Sequence, residues 1–109
     1  MIKHSYTAVV ERNVTFTDEL VTEPYEVAWA HEARVFVRAL DLVGQIEATA
    51  EISPDGLFWI PEGSPPVKLE QPGVLSFPVR EFGHWLRVML KIKGPAPSAR
   101  VIVYLTLKE

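Results

Sequence analysis

Apolar and polar residues alternate strictly along residues 45–52, and this pattern constrains the fold more than any other feature of the sequence. The apolar members would share one side of a strand: Ile46, Ala48, Ala50 and Ile52. Successive side chains of a β-strand point to opposite faces, whereas a helix would scatter these residues around its circumference. Residues 86–93 and 101–107 repeat the pattern. The alternation therefore predicts strands with one face in a core.

A hairpin signal follows the first of these strands at Ser53-Pro54-Asp55-Gly56. Proline presets φ for a turn, aspartate bonds the local backbone, and glycine accepts a positive φ. We expect residues 57–60 to return as a strand, and we expect further turns at residues 41–44 and 94–98. Residues 25–29 are a short strand or, alternatively, part of a helix over residues 26–33.

Together these signals predict an all-β chain, an antiparallel β-sandwich of jelly-roll type with seven to nine short strands. A small β-barrel is the alternative. The 109 residues suffice for a single domain, residues 1–109, around a single core.

The bulk composition excludes several classes of function. The formal net charge of −3 provides no overall basic field, so neither nucleic acid nor an anionic membrane is an expected partner. The chain has no cysteine, which excludes disulfides and zinc–thiolate sites. Residues 1–6 lack the apolar stretch of a signal peptide, and no apolar run is long enough to span a membrane.

The sequence carries no motif for catalysis. The three histidines, His4, His31 and His84, lack the spacing of metal ligands, and no nucleophile elbow or phosphate-binding glycine loop is present. We therefore expect no enzyme activity, no metal and no cofactor.

Two sets of residues are candidates for binding. The last strand is apolar on both faces, which indicates a covered central strand or a subunit interface. The expected interface residues lie on this strand and its neighbours: Phe36, Trp85, Ile102 and Tyr104. Alternatively, Trp59 and Trp85 lie near strand ends, where they would form a sugar-binding platform, although aromatic plugs of a small core have the same pattern.

A longer order of motifs resembles a group of small β-sandwich proteins found in tailed phages and prophages. The motifs span roughly residues 30–109: Glu32-Ala33-Arg34-Val35-Phe36-Val37, Ser53-Pro54-Asp55-Gly56-x-x-Trp59, Phe77-Pro78-Val79, Phe82-Gly83-His84-Trp85-Leu86-Arg87-Val88 and Gly94-Pro95-Ala96-Pro97-Ser98. The resemblance implies a non-enzymatic virion protein, a capsid decoration (cement) protein that binds the major capsid protein as a homo-oligomer such as a trimer. It would be made in the host cytoplasm and reside in the virion.

Residues 1–24 fall outside this resemblance, and we expect them to exchange onto a neighbouring subunit or to lie on the shell. Two other functions stay open. One is a carbohydrate-binding module of discoidin-like or jelly-roll type that uses Trp59 and Trp85. The other is an adaptor in a different bacterial protein assembly.

Overall fold

The computed structural model describes residues 5–109, which form eight β-strands and, within that range, no helix. In chain order the strands are β1 (Ser5–Phe16), β2 (Glu19–Val21), β3 (Tyr25–Glu26), β4 (Glu32–Ser53), β5 (Ile60–Pro61), β6 (Val67–Leu69), β7 (Gly73–Val79) and β8 (Trp85–Lys108). All strand pairings are antiparallel. The all-β prediction is confirmed, and the helix considered for residues 26–33 does not form.

β4 and β8 are the centre of the fold, and they pair along their whole lengths, from Glu32 opposite Lys108 to Ser53 opposite Trp85. The turns predicted at residues 41–44 and 94–98 are wrong, because both strands continue through them with shifted register. The predicted number of strands holds, but these two, of 22 and 24 residues, are not short.

The two predicted turns are instead a shared corner. A straight strand of 22 residues would span roughly 75 Å, which exceeds the longest dimension of the molecule, 49 Å. The ribbon therefore folds over where its register shifts. Gly44 has a φ of +106°, and a Cβ there would lie 2.4 Å from the carbonyl oxygen of Lys93. Glycine lets the two backbones approach at this corner.

Folding at the corner divides the sheet into two layers. Layer A contains β1, the C-terminal half of β8, the N-terminal half of β4, and β7, in that order. Layer B contains β2 and β3, the N-terminal half of β8, the C-terminal half of β4, and then β5 and β6. Such a double-layered roll of antiparallel strands is a jelly roll, as the alternation predicted.

Both layers contribute their inner faces to one core. The central side chains are fully buried: Val35, Val37, Ile46, Leu86, Val88, Leu90, Val101, Val103, Leu105 and Leu107. They occupy alternate positions of β4 and β8, so the alternation of the sequence correctly predicted which face of each strand lies in the core.

The N-terminal strands lie at the edges of both layers. β1 pairs with the second half of β8, and β2 and β3 pair with the first half, all within the same chain. Between β2 and β3 the buried Thr22 Oγ1 accepts a hydrogen bond of 2.9 Å from the Val88 backbone nitrogen, which satisfies that buried donor. Exchange of these strands between copies stays a prediction.

Three connections between strands meet at the end of the sandwich opposite the corner. They are residues 27–31, 54–59 and 80–84, and they lie beside the start of β1 and the end of β8. Loops held on a rigid sheet are the usual carriers of binding residues. This loop end of the molecule therefore holds most of the candidate site.

Candidate functional site

The tip loop, residues 54–59, is held rigidly by its own polar groups. Ser53 Oγ accepts a hydrogen bond of 2.8 Å from the Gly56 nitrogen, and Gly56 has a φ of +81°. Asp55 Oδ1 accepts hydrogen bonds of 2.9 Å from Leu57 N and 3.0 Å from Phe58 N. These backbone donors, Phe58 first and then Leu57, lower the pKa of Asp55 because they favour the charged form. The predicted hairpin is confirmed, but of the predicted return strand, residues 57–60, only Ile60 pairs with β4, followed by Pro61.

The residues directly after the Pro54-Asp55-Gly56 turn form the most exposed apolar surface of the tip loop. Leu57 is 79% exposed and Phe58 is 75% exposed, although their backbone nitrogens are fixed by Asp55. Ile60, at the start of β5, is also exposed. A fixed backbone with projecting apolar side chains is suited to docking, because little conformational freedom is left to lose on binding.

The structure brings the two predicted tryptophans, Trp59 and Trp85, to the base of this loop. Trp59 Nε1 donates a hydrogen bond of 3.2 Å to the carbonyl oxygen of Gly56, and a Cβ at Gly56 would lie 3.5 Å from the Trp85 ring. The guanidinium carbon of Arg87 lies 4.2 Å from the centroid of the Trp59 ring, and Arg87 Nε bonds Glu51 at 2.7 Å. Protein groups therefore pack against both tryptophans, which support the loop.

The predicted interface residues divide between the two layers. Phe36 and Tyr104 are cross-strand partners, and Ile102 pairs with Arg38 in the adjacent row. All three point away from the core on the outer face of layer A, together with the exposed Val74 opposite Arg38. Trp85 lies instead on layer B at the loop end. Phe36, Tyr104 and Ile102 are half-buried, so this face is an apolar surface of moderate exposure.

A second aromatic group lies at the open edge between the layers. The Tyr6 and Tyr25 rings are nearly parallel, at an interplanar angle of 5°, with centroids 6.3 Å apart. Burial, together with a hydrogen bond to Tyr6, raises the pKa of Tyr25. With Trp29 they line a hollow of about 520 Å³, which we call the aromatic hollow, whose other lining residues are Ser5 and Glu109.

Charged side chains of the outer faces are largely matched with opposite charges. Lys93 Nζ lies 3.0 Å from Glu47 Oε1, and its hydrogen bond lowers the pKa of Glu47. Arg100 similarly pairs with Asp41 at 2.8 Å. Basic side chains on these faces are thus paired with carboxylates, which makes the faces poor tracks for a phosphate backbone.

Within residues 5–109, no group of three histidine or carboxylate side chains could hold a metal ion. His84 Nε2 lies 3.4 Å from Glu26 Oε1, while His31 lies in the loop between β3 and β4. His4 is outside the described residues. No helix in the described range has the length and apolar character needed to cross a membrane.

Comparison with known proteins identifies a shared fold. No protein-family model matches the chain, and no curated protein matches it. Among solved structures, PBSX exported protein XepA superposes with a TM-score of 0.67 at 11% identity, over 94% of this chain and 36% of that chain. SPBc2 prophage-derived protein YomS superposes with a TM-score of 0.53 at 11% identity, over 100% of this chain and 96% of that one.

A viral shell protein has the same architecture. The structure of an infectious bursal disease virus VP2 subviral particle matches with a TM-score of 0.51 and 14% identity, over 97% of this chain and 32% of that chain. The chain thus spans about a third of the length of XepA and of VP2, and nearly all of YomS. At these identities the similarity is one of fold, a β-sandwich that occurs in phage-derived and viral proteins.

Proposed function

We propose that this chain is a non-enzymatic structural protein of a tailed-phage or prophage particle, a decoration protein that binds the capsid exterior as a homo-oligomer. In this proposal the tip loop docks onto the capsid, and the chain resides in the virion. The proposal is supported by the fold shared with two prophage proteins and with a protein of a viral particle. Function does not follow from fold, so the surface must carry the argument.

The exposed pair Leu57 and Phe58 is the observation that carries the proposal. These two consecutive large apolar side chains are each about three-quarters exposed to water. A partner that covers them would remove this apolar surface from water, which favours binding. Each would contribute roughly 1.5–3 kcal/mol if fully buried. The hydrogen bonds from Asp55 hold the loop in one conformation in advance, which lowers the entropic cost of docking.

Self-association is assigned to the outer face of layer A. Phe36, Ile102 and Tyr104 form adjacent rows there, and Val74 extends the surface towards the edge strand β7. Because this face and the tip loop are at different places on the sandwich, a copy bound through one leaves the other available. A decoration protein needs that separation, since it contacts both its own copies and the shell.

The experiment is co-sedimentation with particles. The tagged full chain is mixed with nuclease-resistant phage particles purified from an induced culture of the source strain, and the mixture is separated on a density gradient. We expect the wild-type chain to migrate with the particles, and we expect the double variant Leu57→Ser/Phe58→Ser to remain at the top of the gradient.

The matched control is Val43→Ser, since Val43 is 61% exposed but lies at the corner, away from the tip loop. This variant is expected to sediment like the wild type. The proposal is wrong if the wild-type chain stays at the top, or if the control variant and the double variant lose binding equally.

A further inference from the structure

The aromatic hollow has a geometry that neither the decoration role nor the core requires. Tyr6 faces the same side of β1 as the buried Ala8, and Tyr25 pairs opposite the buried Leu86, so both rings extend from the core to its open edge. Tyr25 is half-buried and covers the core, whereas Tyr6 is 53% exposed and Trp29 is 36% exposed. Two of the three rings thus present surface to a ligand.

Trp29 is placed by a rigid turn. The Ala30 nitrogen donates a hydrogen bond of 3.0 Å to the Val27 carbonyl oxygen, so Trp29 occupies the third position of a β-turn. The Glu26 carboxylate accepts a hydrogen bond of 2.8 Å from the Ala28 nitrogen, which fixes the start of the same turn. Val27 and Ala30 are buried and anchor it to the core. The indole is therefore held at the rim before any ligand arrives.

The lining has the chemistry of a site for a neutral polyhydroxylated ring. The lining residues that the structure describes supply aromatic surface, the phenol and serine hydroxyls, and the oxygens of Glu109, and none of these five is basic. The adjoining groove along the β1 edge contains both Glu23 and Arg12, so neither sign of charge dominates beside the hollow. Aromatic rings together with hydroxyl groups suit a ligand that has an apolar face rimmed by hydroxyls.

We propose that the aromatic hollow binds a neutral hexopyranose unit of a glycan, with Trp29 and Tyr6 as the stacking surface. This site is distinct from Trp59 and Trp85, whose rings pack against Arg87 and Gly56. A proline-rich peptide also binds aromatic grooves, but it needs an extended track. A hollow of about 520 Å³, with five lining residues in the described part of the chain, suits one or two sugar rings better.

The test uses the indole N–H signals of the three tryptophans in a proton–nitrogen NMR spectrum of the full chain. Replacing each tryptophan in turn by phenylalanine assigns the signals. The probes are the tetrasaccharides cellotetraose, chitotetraose, maltotetraose and mannotetraose, with sialyllactose as an anionic sugar and a proline-rich decapeptide as the competing ligand. We expect at least one neutral tetrasaccharide to shift the Trp29 signal in a saturable way, and the signals of Trp59 and Trp85 to stay in place.

Variants separate binding from a structural role. Trp29→Ala, and separately Tyr6→Leu, should weaken that binding by at least about tenfold while the rest of the spectrum keeps its dispersion. Phe58→Ala removes an exposed aromatic ring at the opposite edge of layer B and should bind like the wild type.

Three results would overturn the inference. They are no shift with any neutral sugar, a shift confined to the Trp59 or Trp85 signal, or a Trp29 response to the peptide or to sialyllactose alone. None of them depends on whether the chain binds particles, so the proposed function and this site can fail separately.

Discussion

Single residues decide whether the β4–β8 ribbon can fold over, and Gly44 is the most constrained of them. Its φ of +106° is unfavourable for any side chain, and an added Cβ would lie 2.4 Å from the backbone oxygen of Lys93. The clash is with backbone, which cannot turn aside as the end of a flexible side chain can. Close approach of two strands at this point thus depends on the absence of one carbon atom.

We predict that Gly44→Ala lowers the free energy of unfolding by about 2 kcal/mol or more, from strain and steric overlap together. Denaturant unfolding followed by fluorescence measures it. Gly63→Ala is the matched control, because Gly63 also has a positive φ, +110°, but a Cβ there meets nothing within 4 Å. Equal losses in the two variants would show that the approach at the corner does not matter.

Asp55 makes the tip loop sensitive to acid. Its folded-state pKa lies below the ordinary value of 3.8, because backbone donors at Phe58 and Leu57 stabilise the carboxylate. A depressed pKa means that the stabilisation is complete well above 3.8, and that it is lost as the pH falls through the lower, folded-state value. At neutral pH the loop therefore has the full benefit of the charged side chain.

We predict that Asp55→Ala is less stable than the wild type at pH 7, and that the difference narrows as the pH is lowered below the ordinary carboxyl pKa of 3.8 and through the lower folded-state pKa. Chemical unfolding of both proteins across this range provides the measurement. A difference that stays constant, or widens in acid, would mean that the carboxylate charge is not what holds the loop.

At the scale of elements, the outer face of layer A is the surface most open to a direct test of self-association. Val74 lies on the edge strand β7, is 59% exposed, and pairs opposite Arg38. We predict that Val74→Asp converts an oligomer into a monomer without unfolding it, because Arg38 offers the new carboxylate a partner. Light scattering coupled to size-exclusion chromatography reports the mass.

Val43→Asp is the control for Val74→Asp, since it places the same charge at a similarly exposed valine at the corner. It should leave the mass of the oligomer unchanged. Either a monomeric wild-type protein or an oligomer that tolerates Val74→Asp would remove the outer face of layer A as the subunit interface.

Alternation predicted the strands well, and local turn signals predicted the corner poorly. Residues 45–52 and 101–107 form strands as their alternation predicted, and their apolar rows are buried except for Ile52, which is half-buried. The segments that contain Gly44 and Gly94 were predicted to be turns because glycine with polar or proline neighbours ordinarily ends a strand. Here each glycine accommodates a close passage between paired strands, and only the partner strand reveals that use.

The candidate sites were less accessible from sequence because they depend on contacts distant along the chain. From the sequence, Trp59 could bind a ligand. In the structure its ring is covered by Arg87, which is 28 positions later in the chain and lies 4.2 Å from the ring centroid. Tyr6 and Tyr25 meet because β1 and β3 pair with opposite halves of β8. Leu57 and Phe58 were predicted to lie in a returning strand, but the structure places them in the tip loop, where Asp55 bonds their backbone nitrogens.

At the scale of the whole molecule, the chain is one folded-over ribbon with all described residues in or beside two layers. Its inner surfaces form one core. The outer face of layer A, the tip loop and the open edge with the aromatic hollow are the surfaces on which the proposals above rest. These three regions hold separate residues. A protein of this kind can contact a copy, a shell and a sugar without rearranging its interior.

The close approach of backbone at the corner has a counterpart at the other end of the sandwich. At the corner both strands of the β4–β8 ribbon pass from one layer to the other, with a Cβ position at Gly94 only 3.4 Å from the Gly44 Cα. At the loop end two connections, residues 27–31 and 80–84, also cross between the layers. Covalent chain therefore ties the two layers together at both ends, and the tip loop and the aromatic hollow are carried on a frame whose spacing we expect to stay the same with or without a partner.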